Sequence, residues 1–311
     1  MELSAVRLPS VSVVLPTRSR LGLLSEAVRS VCAQTMPPTE LLIIDDGSQG
    51  EVLSAIRPVI DHAHFPIKVR PGPGRGPGPA RNVGVTAARG DLIAFVDDDD
   101  IWQPEKLAWQ TSWFAADASL GLVGTEAERT AVPRQVKLSG SPPRRLRRVP
   151  RSALVRANPL VTSSVVARRE CFDTCGGFDE SLTLAQDWEM WLRIARHWQV
   201  AVVPAPLTIY RVHAEQRSRD RVEMRGCEAE VLRRGLARGS ISGDRLRALA
   251  RRRIAWAHCR QGRALLRAGR TGQAEKELRE AISLFRLQPL AWTGLARCRL
   301  TRFALSRGDA A

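Results

Sequence analysis

The stretch "DLIAFVDDDD", residues 91–100, places four consecutive aspartates directly after a short aliphatic run. Such a run with a polar end is typical of a buried strand that ends at the surface of a domain. Like charges this close repel one another unless a cation, backbone donors or protonation relieves them. A divalent metal ion is the simplest relief, because Mg²⁺ and Mn²⁺ prefer hard oxygen ligands. A solvated acidic turn that caps the next helix through Asp100 is the alternative.

Three further aliphatic runs lie upstream of the aspartates, and helical stretches separate them. The runs are "VSVVL" (11–15), "ELLIID" (40–45) and "IKV" (67–69), and the helical stretches cover 21–34, 52–60 and 78–90. Strands that alternate with helices predict right-handed crossovers and a parallel sheet covered on both faces. The sequence therefore predicts an α/β fold, in which ligands bind beyond the carboxyl ends of the strands.

Polar residues cluster where three of these strands end. "LPTRSR" (15–20) follows the first strand, "DDGS" (45–48) follows the second, and "DDDD" (97–100) follows the fourth. The carboxyl ends of parallel strands share one edge of a sheet, so these clusters are expected to line one crevice. The stretch "PGPGRGPGPARN" (71–82) is expected to form a loop over that crevice, because it is rich in glycine and proline.

The following segments are less regular. We expect an irregular basic loop at 126–152, a strand at 160–167 and an amphipathic helix at 186–198. Two strand-like runs separated by prolines are expected within 200–213. From about residue 214 the pattern changes to long helices, which predicts two domains, 1–215 and 216–311. Five helical residues have spacings similar to those of tetratricopeptide repeats, with plain helical hairpins as the alternative: Gly262, Leu265, Ala274, Leu278 and Ala281.

The formal net charge of +16 is concentrated in the helical region. Of the 48 basic and 32 acidic residues, 21 and 8 lie from Arg221 onward. Such a surplus suits nucleic acid, an anionic membrane surface or an acidic partner, and it also suits a solvated helical surface. No combined aromatic and basic pattern accompanies the charge, which argues against nucleic acid as a partner.

The sequence also bears on compartment. No apolar run approaches the roughly 20 residues that cross a bilayer, and the first residues lack the order of a signal peptide. These features predict a cytoplasmic protein, with peripheral contact at the inner face of the membrane as a hypothesis. The six cysteines are scattered, and we expect them to be reduced.

Three successive motifs carry a resemblance to a known family. They are "VSVVLPTRSRLGLLSEAVRSVCAQTMPPTELLIIDDGS", "GPARNVGVTAARGDLIAFVDDDDIWQPEKL" and "GGFDESLTLAQDWEMWLRIA". In order and spacing they resemble the inverting family 2 glycosyltransferases of the GT-A fold, over about residues 10–215. The resemblance implies a Rossmann-like, mostly parallel sheet flanked by helices, with the carboxyl-terminal all-α region outside the match.

The resemblance also implies a nucleotide-sugar site. The residues that it assigns to the donor are Pro16, Thr17, Asp46, Arg81, Asp97 and Asp98. Asp99 is similar to the principal metal ligand of the family, which implies Mn²⁺ or Mg²⁺ as cofactor. For Asp100 we expect a helix-capping role or support of the metal through water.

Asp187 of "AQDWEMW" resembles the catalytic base of the family, which takes the proton of the acceptor hydroxyl. An amino-terminal helix residue favoured by the helix dipole is the alternative. Gln186 departs from the family pattern, in which glutamate usually precedes the base. The residues that the resemblance places on the acceptor side or in a lid are Trp102, Gly177, Trp188 and His213. Core burial for the two tryptophans and a structural role for His213 are the alternatives.

The resemblance implies transfer of a sugar from a nucleoside diphosphate, expected to be UDP, to a hydroxyl of a glycan, a lipid carrier or a glycoconjugate. A nucleotidyltransferase is the nearest rival, but it would be expected to have a glycine and lysine motif that "LPTRSR" lacks. A basic nucleic-acid-binding or scaffold protein with an inactive nucleotide-binding domain is the alternative from another class.

Overall fold

The computed structural model describes residues 8–48, 50–61, 63–131, 141, 143–213 and 221–308, without the side chains of 221–225 and 301–308. Its contacts divide the chain into two compact units. One comprises Met1–Pro150 and Asn158–Glu215, and the other comprises Arg151–Ala157 and Gln216–Ala311. The catalytic role predicted for residues 1–215 and the separate helical domain predicted for 216–311 stay predictions.

The strands of the described residues form one nine-stranded sheet in the first unit. They are β1 (Val11–Thr17), β2 (Glu40–Asp45), β3 (Ile67–Pro71), β4 (Leu92–Phe95), β5 (Asp100–Trp102), β6 (Leu120–Thr130), β7 (Arg147–Arg148), β8 (Val166–Arg168) and β9 (Gln199–Arg211). Their order is β3-β2-β1-β4-β8-β6-β9-β5, and β7 pairs with β9. The helices of this unit are α1 (Leu21–Cys32), α2 (Val52–Ile60), α3 (Pro77–Ala87), α4 (Lys106–Ala116), α6 (Arg169–Cys175) and α7 (Gln186–Ile194).

The sheet has a parallel half and a mixed half. β3, β2, β1 and β4 are parallel, with Val13 opposite Leu41 on one side and Ala94 on the other. These residues are fully buried, because helices cover both faces of a parallel sheet. In the other half β8 runs antiparallel to β4 and β6, while β9 runs parallel to β6 and antiparallel to β5. The predicted α/β class is therefore confirmed.

The glycine- and proline-rich stretch is shorter as a loop than expected. Helix α3 begins at Pro77, so the prediction of irregular structure up to residue 82 is wrong. Proline at the first helical position loses no hydrogen bond and has the right φ. Gly76 precedes the helix with φ of 100°, a conformation that favours glycine.

Three other segments differ from their predicted structure. The segment 126–152 was expected to be irregular, but β6 continues to Thr130 along β9; residues 132–140 and 142 lie outside the described part. The segment 200–213 forms most of a single strand, because Pro204 and Pro206 lie at a register shift between β9 and β6. The segment 160–167 contains a 3-10 turn at Thr162–Ser164 before β8 begins.

The second unit consists of helices. They are α5 (Arg151–Arg156), α8 (Arg221–Ala237), α9 (Asp244–Arg267), α10 (Thr271–Leu284) and α11 (Pro289–Gly308). Small residues let α9, α10 and α11 approach closely, since a Cβ on Gly262 would lie 2.7 Å from the Leu278 side chain. Among the described residues, no helix combines the length and apolarity that crossing a membrane requires. The six cysteines are free thiols in the structure.

Candidate functional site

The four aspartates lie beyond the carboxyl end of β4 and lead into β5. Asp97 is partly exposed, whereas Asp98, Asp99 and Asp100 are buried. Asp97, Asp99 and Asp100 each direct a carboxylate oxygen to one place, and these oxygens all lie within 4.8 Å of one another. Asp100 belongs to β5 and helix α4 begins at Lys106, so Asp100 does not cap that helix.

Cationic and imidazole side chains from three parts of the first unit contact this carboxylate cluster. Arg20, in the loop after β1, contacts Asp98 Oδ1 through Nη2 at 2.8 Å and Asp99 Oδ2 through Nη1. His213, beyond β9, lies with Nε2 2.9 Å from Asp99 Oδ2. Arg81, on α3, contacts Asp97 Oδ1 at 2.5 Å. The cluster therefore gains positive partners that are distant in sequence.

Burial makes ionisation of two cluster members costly. Burial, more than the neighbouring carboxylates, raises the pKa of Asp98 to about 6, although Arg20 and the Thr17 hydroxyl at 2.8 Å oppose the rise. Burial also raises the pKa of Asp100 well above its usual value, and the charges of Asp99 and Asp97 add to the effect. A bound cation would stabilise the ionised forms of both carboxyl groups.

The residues assigned to the nucleoside lie at the ends of β1 and β2. Pro16 is buried within β1, and the Thr17 hydroxyl donates to Asp98 Oδ2. Asp46 accepts hydrogen bonds from the backbone N–H groups of Gly74 and Gly76, both at 2.7 Å. The carboxylate of Asp46 thus holds the loop between β3 and α3 against the end of β2.

Asp187 lies in the first turn of α7, where neutral groups contact it. Its Oδ2 accepts hydrogen bonds from Asn158 Nδ2 at 2.9 Å and from Thr162 Oγ1 at 3.1 Å. Burial raises the pKa of Asp187, while the charge of Arg81 and the N–H of Trp188 oppose the rise. A carboxylate with a raised pKa is a better proton acceptor near neutral pH.

Arg81 links the two acidic parts of the site. Its guanidinium is buried, pairs directly with Asp97, and acts electrostatically on Asp187. It also lies 5.8 Å from the centre of the Phe178 ring. The structure therefore brings Thr17, Arg81 and the aspartate cluster together, and Arg81 acts electrostatically on Asp187.

The assignment of Trp102 and Trp188 to the acceptor side or a lid requires correction. Each side chain is only 3% exposed. The indole of Trp102 donates to the backbone oxygen of Ser163 at 2.7 Å, so it is part of the core. Gly177 is exposed, and close packing explains its residue type, since a Cβ there would lie 2.5 Å from Asn82 Oδ1.

Gln186 does not direct its amide toward Asp187. Its Nε2 donates to the backbone oxygens of Leu182 at 2.7 Å and Thr183 at 3.0 Å. The side chain is 5% exposed. A carboxylate at this position would face two carbonyl oxygens without a donor, which explains why an amide suits this sequence.

Several residues of the site were not identified from the sequence. They are Arg20, Asn158, Thr162 and Ser163. Arg20 belongs to the polar run "LPTRSR", and its charge was a usable signal there. The two hydroxyl residues lie in a segment predicted as a strand, and neither their type nor their spacing indicates a contact with distant carboxylates.

Sequence comparison relates the chain to named proteins. A model of glycosyl transferase family 2 matches residues 12–160. An uncharacterised glycosyltransferase of Bacillus subtilis, YwdF, is 29% identical over 207 residues, which cover 64% of this chain and 73% of YwdF. An uncharacterised glycosyltransferase of Nostoc, alr2836, is 38% identical over 99 residues, and this match spans 31% of the chain and only 30% of alr2836.

Solved structures resemble the described fold. TarS 1–349 of S. aureus in complex with UDP-GlcNAc has a TM-score of 0.64 at 19% identity, covering 88% of this chain and 81% of that one. The mannosyltransferase PcManGT from Pyrobaculum calidifontis, in complex with GDP-Man and Mn²⁺, has a TM-score of 0.63 at 18% identity, covering 97% and 83%. At these identities the likeness establishes the fold alone.

Proposed function

Since this chain belongs to glycosyl transferase family 2 and has the GT-A fold, we propose that it transfers a sugar from a nucleoside diphosphate to an acceptor hydroxyl with inversion. Residues 1–215 carry this activity, apart from the short helix α5, which packs within the second unit. The acceptor is a glycan, a lipid carrier or a glycoconjugate.

The observation that supports this proposal most directly is the convergence of three carboxylates. The ligand oxygens of Asp97, Asp99 and Asp100 lie within 4.8 Å of one another, beyond the carboxyl end of β4. Ligands of open α/β sheets bind at that edge. Hard oxygen donors in this number suit Mg²⁺ or Mn²⁺ held by carboxylates together with substrate phosphates.

These carboxylate ligands therefore fit a divalent metal ion, with Asp99 as the principal ligand and Asp97 and Asp100 beside it. When bound, the ion supplies Lewis-acid stabilisation of the charge that develops on the departing diphosphate. Thr17, Asp46 and Asp98 line the nucleoside side, and Arg81 offers a buried positive charge to a phosphate oxygen. His213, within 2.9 Å of Asp99, closes the same side.

Asp187 is the general base of the proposed reaction. It removes the proton of the acceptor hydroxyl while that oxygen attacks the anomeric carbon from the face opposite the diphosphate. Asn158 and Thr162 both donate to Oδ2, which fixes the orientation of the carboxylate. One displacement at the anomeric carbon inverts its configuration.

UDP is the proposed donor nucleotide, on the family resemblance, and GDP is its main rival, since the similar solved structures are complexes with UDP-GlcNAc and with GDP-Man. A thermal-shift screen of UDP, GDP and dTDP sugars with Mn²⁺ tests the choice. Hydrolysis assays on Asp99→Ala and Asp187→Ala then separate the two roles. Loss of donor binding with the first variant, and loss of turnover with binding retained in the second, are expected. Stabilisation by no nucleotide sugar contradicts the proposal.

The basic character of the second unit motivates a further proposal of peripheral contact with anionic membrane, consistent with a lipid-linked acceptor and a cytoplasmic location. From Arg221 onward, the sequence contains 21 basic and 8 acidic residues. Basic segments are attracted to anionic lipid by about 1 kcal/mol per residue near the surface. Sedimentation with vesicles of neutral or acidic lipid tests this contact, and equal binding to both contradicts it.

A further inference from the structure

Three consecutive hydroxyl residues, Thr162, Ser163 and Ser164, form one 3-10 turn just before β8. Their exposed fractions are 8%, 0% and 0%. Buried polar side chains of this kind are retained where their hydrogen bonds are satisfied, and all three hydroxyl groups have partners. The turn therefore lies in the interior of the first unit as a fully paired polar element.

The hydroxyl of Ser163 joins two members of the carboxylate cluster. It donates to Asp100 Oδ2 at 2.5 Å and accepts from the backbone N–H of Asp97 at 3.0 Å. A hydroxyl group has one donor and two acceptor positions, so one side chain can make both contacts. The adjacent residue, Thr162, donates to Asp187 at 3.1 Å. Neighbouring residues of one turn thus contact the metal carboxylates and the base.

Buried side chains from β5 and α4 fix the backbone of this turn. The backbone oxygen of Ser163 accepts from Trp102 Nε1 at 2.7 Å, and that of Ser164 accepts from Gln110 Nε2 at 2.9 Å. Lys106, which is fully buried, donates to Gln110 Oε1 at 2.8 Å and lies 4.1 Å from the centre of the Trp102 ring. A turn anchored on both carbonyl oxygens holds its hydroxyl groups in place.

We propose that Ser163 is a positioning residue of the metal site, and that the turn Thr162–Ser164 sets the spacing between the carboxylates and Asp187. The inference rests on the proposed metal-dependent function. Without the hydroxyl of Ser163, Asp100 loses a donor and the N–H of Asp97 loses its acceptor. The carboxylates are then held less closely against their mutual repulsion, so their affinity for a cation falls.

Ser163→Ala tests this role, with Ser164→Ala as a matched control. Both serines are fully buried, but the hydroxyl of Ser164 donates only to the backbone oxygen of Val161, at 2.7 Å. The affinity for Mn²⁺ alone is expected to fall about tenfold in Ser163→Ala. The electron paramagnetic resonance signal of the free ion measures this affinity. The control is expected to change it less than about twofold. Saturating Mn²⁺ is expected to restore kcat in Ser163→Ala, because Thr162 still holds Asp187.

If the alanine variant does not fold, Ser163→Cys replaces it in the test, because the thiol is a weaker hydrogen-bond donor. Its loss of Mn²⁺ affinity is expected to be smaller but measurable. Equal Mn²⁺ affinities in the Ser163 and Ser164 variants overturn the inference and leave the proposed function intact. Wild-type protein that binds Mn²⁺ but transfers no sugar overturns the proposed function alone. Wild-type protein that binds no Mn²⁺ overturns both.

Discussion

The two acidic parts of the site are stabilised in opposite ways. The cluster Asp97–Asp100 pairs with Arg20 and Arg81 directly and also contacts His213. Asp187 instead accepts from the neutral donors Asn158 and Thr162. Charged partners offset the repulsion among the crowded carboxylates, whereas neutral donors orient the single carboxylate of Asp187, whose pKa burial raises. The same residue type thus lies in two different electrostatic surroundings, which suit the two roles proposed for it.

Removal of the proposed base is expected to have the largest effect. Asp187→Asn keeps the size and shape of the side chain, but the amide cannot accept the proton of the acceptor hydroxyl. We therefore expect kcat to fall about 10³-fold. The affinities for Mn²⁺ and for the sugar donor, measured by calorimetry, are expected to stay unchanged, because the carboxylate cluster is intact. A kcat within tenfold of wild type would show that another group serves as base.

Loss of a proposed metal ligand is expected to have the next largest effect. Asp99→Asn removes one charge and one anionic ligand from the cluster, so Mn²⁺ affinity is expected to fall about 100-fold. Donor affinity measured in the presence of Mn²⁺ should fall with it. Asp173→Asn, at an exposed position of the same unit, is the control. Unchanged Mn²⁺ affinity in Asp99→Asn would remove Asp99 from the ligand set.

Arg20 tests whether the cationic partners compete with a metal ion. Arg20→Met removes a positive charge from Asp98 and Asp99, so binding of Mn²⁺ without nucleotide is expected to tighten on the order of fivefold, about 1 kcal/mol at this partly exposed position. Arg75→Met is the control, because Arg75 pairs with the exposed Glu180 instead. Weaker Mn²⁺ binding in Arg20→Met would mean that Arg20 organises the ligands rather than competing for them.

The smallest expected effect is a shift of the pH profile. Burial raises the pKa of Asp187, and the hydrogen bond from Thr162 opposes that rise. Thr162→Val removes the donor, destabilises the carboxylate and raises the pKa of Asp187 further. Because the base acts when deprotonated, the acid limb of the kcat profile should move to higher pH.

Arg81, Asn158 and the N–H of Trp188 still act on Asp187 in that variant, so activity at high pH should be retained. Ser164→Ala provides the control for loss of a hydroxyl from the same turn. An acid limb that stays in place, or moves to lower pH, would exclude Thr162 as a partner of the ionised base.

The parallel half of the fold could be predicted because three of its four strands are aliphatic runs buried on both faces. β1, β2 and β4 are formed by the runs at 11–15, 40–45 and 91–96, and polar residues follow each of them. The mixed half was harder to predict. β9 contains Pro204 and Pro206, which would normally exclude a strand interior, and only its shifted pairing with β6 accommodates them.

The sequence by itself determined the α/β class, the edge of the sheet that carries the candidate site, and the crowding of four carboxylates at residues 97–100. Those features depend on local apolar runs and on charges adjacent in the chain. Only the tertiary structure decided which groups surround each carboxylate. Ser163 reaches Asp100 across 63 positions and His213 reaches Asp99 across 114, and contacts at such separations depend on strand order rather than on local pattern.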